Sequence, residues 1–113
     1  QNQPAIRKKG LLLVKDTGIR SFLWSKKFCQ LRDQMLTIHK NEVFFIAELI
    51  ELIIDIIIDT YQAQQIILLK EIESVERCDQ KPISFEIITK DKKSYYFASD
   101  TDAELYSWIE EIY

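Results

Sequence analysis

The sequence predicts a mainly β domain of seven strands closed by a C-terminal helix. Three observations carry that reading: short apolar runs at close spacing, turn-forming residues between them, and a change of apolar period after Ser99. A chain of 113 residues has room for one core and not for two, so residues 1–113 are expected to form a single domain.

The first strand is expected in GLLLVK, residues 10–15, which ends at the turn residues DTGIRS around Gly18. WSKKFCQLR, residues 24–32, alternates so that Ser25, Lys27, Cys29 and Leu31 share one face, with Cys29 and Leu31 expected in the core. RDQ then turns the chain, and MLTIHK, residues 35–40, puts Leu36 and Ile38 on a common face. Four further runs follow: QIILLKEI (65–72), ESVERC (73–78), ISFEIIT (83–89) and KSYYFAS (93–99), with DQKP and KDKK as turns. Seven short strands so spaced suit a barrel or a sandwich. In SDTDAELYSWIEEIY, Leu105, Trp108, Ile109 and Ile112 recur at i, i+3, i+4 and i+7, which makes one helical face apolar. Thr101, three residues before Glu104, forms a capping-box pattern that satisfies free N–H groups at a helix start.

Residues 43–61, VFFIAELIELIIDIIIDTY, stand apart as a nearly continuous apolar run that carries four acids. At about 100° per residue, Glu48, Glu51, Asp55 and Asp59 fall in an arc of roughly 80°, the pattern of an amphipathic helix. A strand reading also exists, because Leu52, Ile54, Ile56 and Ile58 alternate with acids, but Glu48 breaks it. Four acids at bilayer depth would cost on the order of 10 kcal/mol, which argues against a membrane span. The polar face is also acidic where a membrane-surface helix is basic. The run is therefore expected as a helix between the third and fourth strands, its apolar side covered by protein, with a second copy of the chain the simplest cover.

The order and wording of WSKKFCQL (24–31) and YYFASDTDAELYSWIEEI (95–112), with seven strands before one Trp-bearing helix, resemble a pleckstrin homology (PH) domain. The stretch KKGLLLVKDTGIRSFLWSKKFCQL is most similar to the PH domains at the front of fungal PAK-like kinases. The resemblance implies a bent seven-stranded barrel whose open end is plugged by the helix, with Trp108 as a structural residue in its mouth. Residues 43–61 then fall between the third and fourth strands, where the family varies in length.

Charge is divided along the chain. Residues 1–40 sum to +7 and residues 41–113 to −10, which together give the net −3. Such polarity suits a basic face meeting an anionic surface, although charge runs are commonly no more than solvated faces. The resemblance implies a lipid-headgroup site of cations around the first strand turn, because inositol phosphates need several converging N–H donors. The matching positions are Lys15, Arg20 and Lys27, with Lys26 beside them. Lys27 stands where strong binders carry Arg and Ser25 where they often carry a second cation, so weak, charge-led recognition of anionic phosphoinositides is expected. Ile19, Phe22 and Leu23 flank Arg20 and are expected to contact the membrane. Residence would need a second signal, such as a parent PAK-like kinase bound to a membrane-anchored GTPase. The setting expected is cytoplasmic, peripheral at the inner face of the plasma membrane.

Other classes fit less well. Cys29 and Cys78 stand singly and His39 has no partner motif, so no metal site, cofactor or disulfide framework is expected. Two glycines, Gly10 and Gly18, cannot build a phosphate-binding glycine loop, and no nucleophile–base pattern exists, so the domain is not expected to be an enzyme. No aromatic signature for nucleic acid is present. The rival reading is a protein-docking or self-association module, which the acidic second half and residues 43–61 favour.

Overall fold

The structure, a computed structural model, describes residues 6–40 and 65–113. The expected helix over residues 43–61, its covering, and the self-association built on it lie outside the described residues. Seven strands form one antiparallel sheet: β1 (Ile6–Lys15), β2 (Trp24–Arg32), β3 (Met35–Lys40), β4 (Gln65–Leu68), β5 (Ile72–Cys78), β6 (Ser84–Thr89) and β7 (Ser94–Ala98). Their order is β4-β3-β2-β1-β7-β6-β5, and α1 (Asp102–Ile112) follows. The mainly β fold with its closing helix is as the sequence predicts.

β1 is the hinge of the arrangement. It pairs with β2 along its length, from Ile6 opposite Arg32 to Lys15 opposite Trp24. Its other edge pairs with β7 only at Leu13–Ala98 and Val14–Phe97. Side chains from both halves of the sheet, Leu12, Leu31, Leu36 and Ile38 on one side and Val75, Phe85, Ile87 and Phe97 on the other, meet in one core. The sheet therefore folds over on itself, since a flat sheet could not bring these faces together.

The helix closes the core. Thr101 Oγ1 accepts a hydrogen bond from the Glu104 N–H at 3.1 Å, as the capping pattern requires. Leu105, Trp108 and Ile112 are buried, and Ile109 packs partly against the same cluster. Trp108 is 0% exposed, and its ring lies against the β1 backbone at Gly10, where an added Cβ would stand 3.8 Å away. Above the ring, the Lys8 ammonium sits 5.1 Å from its centroid and pairs with Glu104 at 3.0 Å.

Two features differ from the sequence reading. The run 65–72 is divided, because a 3₁₀ turn at Leu69–Glu71 separates β4 from β5. Leu69 N–H bonds the Gln34 carbonyl at 2.9 Å, which anchors this corner to the β2–β3 turn. β2 and β3 are also buried on both faces: Cys29 and Leu31 face the core as expected, yet Phe28, Gln30, Thr37 and His39 on the opposite face are buried as well. His39 is structural, its Nε2 lying 2.9 Å from Thr37 Oγ1 and its ring tilted against Phe28. Burial, with a smaller contribution from Arg32, lowers its pKa below the ordinary value.

Candidate functional site

The segment joining β1 to β2 is short and internally bonded. Asp16 N–H bonds the Leu23 carbonyl at 2.8 Å, Leu23 N–H the Arg20 carbonyl at 2.9 Å, and Ser21 N–H the Gly18 carbonyl at 3.1 Å. Gly18 opens the 3₁₀ turn Gly18–Arg20 with φ of 71°, a left-handed conformation that a side chain would strain. The turn lifts Ile19 and Phe22 out of the protein, to 94% and 74% exposure, with Leu23 at 36% beside them. These are the three residues the sequence assigns to a membrane-contacting tip.

Below the tip lies a cleft of about 390 Å³ whose lining includes Lys15, Asp16, Thr17, Arg20, Ser25 and Lys27. Val14, Ile38 and Gln65 complete its lining. That size is at the lower end of small-ligand sites. Strand alternation explains the lining: Ser25 and Lys27 share the face of Cys29 and Leu31, and near the strand end this face looks into the cleft instead of the core. Three cationic residues contribute to a lining that holds one acid, Asp16, whose Oδ1 accepts a hydrogen bond from Ser25 Oγ at 3.4 Å. The balance remains cationic, which suits an anion with several acceptor oxygens.

Of the four cations that the sequence singles out, Lys15, Arg20 and Lys27 line this cleft, whereas Lys26 does not. Lys26 is exposed and alternates onto the opposite face of β2. Lys15 lines the cleft at its strand end, yet its ammonium reaches the other way, 5.3 Å from the Tyr96 ring centroid. Thr17 and Asp16 were not singled out by the sequence reading, since they fall in the turn beyond the alternating strand. An adjoining recess of about 330 Å³, which shares Thr17 and Gln65, adds Lys93 to the neighbourhood. A cleft of about 420 Å³ formed by the β2–β3 turn and α1 is mixed in charge, with Arg7 and Lys70 set against Asp33 and Glu111, and is less suited to an anion.

Among the described residues no group of three metal-ligating side chains comes together, and no helix is long and apolar enough to cross a membrane. Cys29 is sealed in the core, where desolvation drives its thiol pKa far upward, so it is no nucleophile.

Comparison with known proteins agrees with this architecture. The family model described as PH domain matches residues 6–113. Two curated relatives are serine/threonine-protein kinases CLA4, from Saccharomyces cerevisiae at 26% identity over 113 residues and from Eremothecium gossypii at 27% over 122. Each alignment takes in 95% of this chain but only 13% and 14% of the respective kinase. Among solved structures, the C-terminal PH domain of pleckstrin in complex with D-myo-Ins(1,2,3,5,6)P5 superposes with a TM-score of 0.71 at 22% identity, covering 96% of this chain and 92% of that one. The PH domain of human pleckstrin homology domain-containing protein family A member 5 gives 0.67 at 20% identity, covering 99% and 77%. At these identities the structural likeness speaks to fold alone.

Proposed function

The chain belongs to the PH domain family, a non-catalytic module, and from that premise we propose that it binds anionic phosphoinositide headgroups weakly and recruits a signalling protein to a membrane. The observation that carries this reading is that Arg20 and Lys27 line one cleft, with Lys15 at its edge, beside an apolar loop tip. Arg20 supplies a planar fork for phosphate, and Lys27 supplies a point charge. Ile19 and Phe22 enter the headgroup layer while the cations below them meet phosphate. The likeness to the CLA4 kinases supports a parent chain of that type, in which this domain is one part and any catalysis lies elsewhere. A cytoplasmic protein peripheral at the inner face of the plasma membrane fits this role, and a pleckstrin domain of the same fold was solved with an inositol pentakisphosphate.

Charge near an anionic leaflet contributes about 1 kcal/mol per Lys or Arg, so the hold is modest and salt-sensitive. Co-sedimentation with phosphoinositide-containing vesicles tests it. Reversing both Arg20 and Lys27 to Glu removes two attractions and adds two repulsions, so affinity should fall by about 2–4 kcal/mol in free energy. Binding unchanged by this double reversal, with the fold intact, would overturn the lipid reading in favour of a protein-docking module.

A further inference from the structure

The sheet buries a second surface besides its core. Register and alternation set Leu11, Phe28, Gln30, Thr37, His39 and Ile66 together on the outer face of β1 to β4. At the centre of this face Phe28 and Gln30 are 0% exposed, His39 2% and Thr37 6%, whereas Ile66 at its margin is 56% exposed. The burial is complete within one copy of the chain. The described elements pack elsewhere: β5, β6 and β7 meet β1 to β4 on the core side, Phe28 stands outside that cluster, and α1 packs against β1, β5 and β6. Three atoms of the outer face, Gln30 Nε2, Gln30 Oε1 and His39 Nδ1, are buried without a hydrogen-bond partner among the described residues.

We propose that the outer face of β2 and β3 is a docking surface for this chain's own residues 43–61, and is thereby withdrawn from lipids and from other proteins. The connection starts and ends beside it: β3 stops at Lys40, and β4 resumes at Gln65, the partner of Ile38. Half of residues 41–64, even at the helical rise of about 1.5 Å each, reaches about 18 Å. Three strand spacings of about 4.8 Å take up only about 14 Å, so the chain can cross the face and return. Apolar character matches on both sides, since the run is rich in isoleucine and the face centres on Phe28 with Leu11 beside it. Charge matches as well. Lys9, Lys26 and Arg32 stand around the same face, and the run carries four acids and no cation. Unpartnered buried polar atoms cost about 1–3 kcal/mol each, so the occupant must bring donors and acceptors to Gln30 and His39, which hydrocarbon cannot. Asn41, Thr60, Gln62 and Gln64 flank the apolar run and carry such groups. A second copy is not required, because one chain already buries the face.

The test follows the rings of Phe28 and His39, the latter the single histidine of the chain, by nuclear magnetic resonance. In the uniformly labelled intact chain, both rings should show nuclear Overhauser contacts to isoleucine methyls of residues 43–61. An equal mixture of labelled and unlabelled chains, filtered for contacts between copies, should show none of them. Replacing residues 43–61 by a short Gly/Ser loop should return the His39 titration to its ordinary value near 6.5 and raise the fluorescence of an apolar dye by about threefold or more. Contacts found only between copies, or only after anionic vesicles are added, would overturn the proposal in favour of a second copy or a lipid surface. Absence of the contacts in the intact chain would overturn it too, as would an unchanged His39 titration in a folded loop variant. Should the loop variant fail to fold, the contacts in the intact chain decide alone.

Discussion

Replacing Trp108 with alanine removes the largest fully buried side chain in the described core. A buried aromatic of this class withdraws about 150–250 Å² from water, worth about 4–6 kcal/mol at roughly 25 cal/mol per Å², of which the alanine Cβ recovers a small part. Measured aromatic-to-alanine changes run to about 3–5 kcal/mol, the spread depending on how far the site collapses. Here collapse is limited, because the ring lies against backbone at Gly10, which has no side chain to move into the space. The expected loss is therefore in the upper half of that range, about 4–5 kcal/mol, a large fraction of the stability of a domain this size. At about 4 °C per kcal/mol the thermal midpoint should fall by at least about 15 °C. Urea unfolding followed by far-ultraviolet circular dichroism measures it directly. Gly10→Ala is the control: a Cβ 3.8 Å from the Trp108 ring is in ordinary contact, so this change should cost about 1 kcal/mol or less. A Trp108→Ala loss under about 1 kcal/mol would refute the assignment of the helix as the plug of this core.

Two further outcomes follow from local chemistry. Thr101→Ala deletes the hydroxyl that accepts the Glu104 N–H and should cost about 1 kcal/mol by urea unfolding, with Thr101→Ser recovering most of it. His39 has a folded-state pKa below its ordinary value near 6.5, so the unfolded chain binds more protons once pH falls past that value. Its contribution is whole above the unfolded pKa and lost as pH falls toward the folded one. Stability should therefore decline between neutral and mildly acid pH, and His39→Gln should flatten that slope; an equal slope in the variant would refute it.

Legibility in the sequence follows the regularity of the element. The helix was readable because Leu105, Trp108 and Ile112 repeat at the helical period behind a Thr101 cap, and local chemistry alone places all of these. Cys29 and Leu31 were readable for the same reason on β2. Burial of Phe28, Gln30, Thr37 and His39 was not, because period-two alternation tells which residues share a face and not whether the second face is covered. The split of residues 65–72 is not legible in the sequence, since Leu69, Lys70 and Glu71 include no Gly or Pro to mark the 3₁₀ corner and its anchor, Gln34, is far away in sequence. At the site, Arg20 and Lys27 were legible from position. Asp16 and Thr17 were not, as the chain leaves the strand there and alternation ceases to apply. The separation of Lys26 from Lys27 needed only alternation, whereas the Lys81–Trp24 contact needed the fold.

The most direct measurement is a titration of the chain with soluble inositol hexakisphosphate, followed residue by residue in amide proton–nitrogen correlation spectra. A phosphate seated in the β1–β2 cleft should shift Thr17, Arg20, Ser25 and Lys27 first and most, with the shifts shrinking as salt is raised. Shifts confined to α1 or to the β4 edge, or none at ligand concentrations that saturate a weak site, would contradict the account.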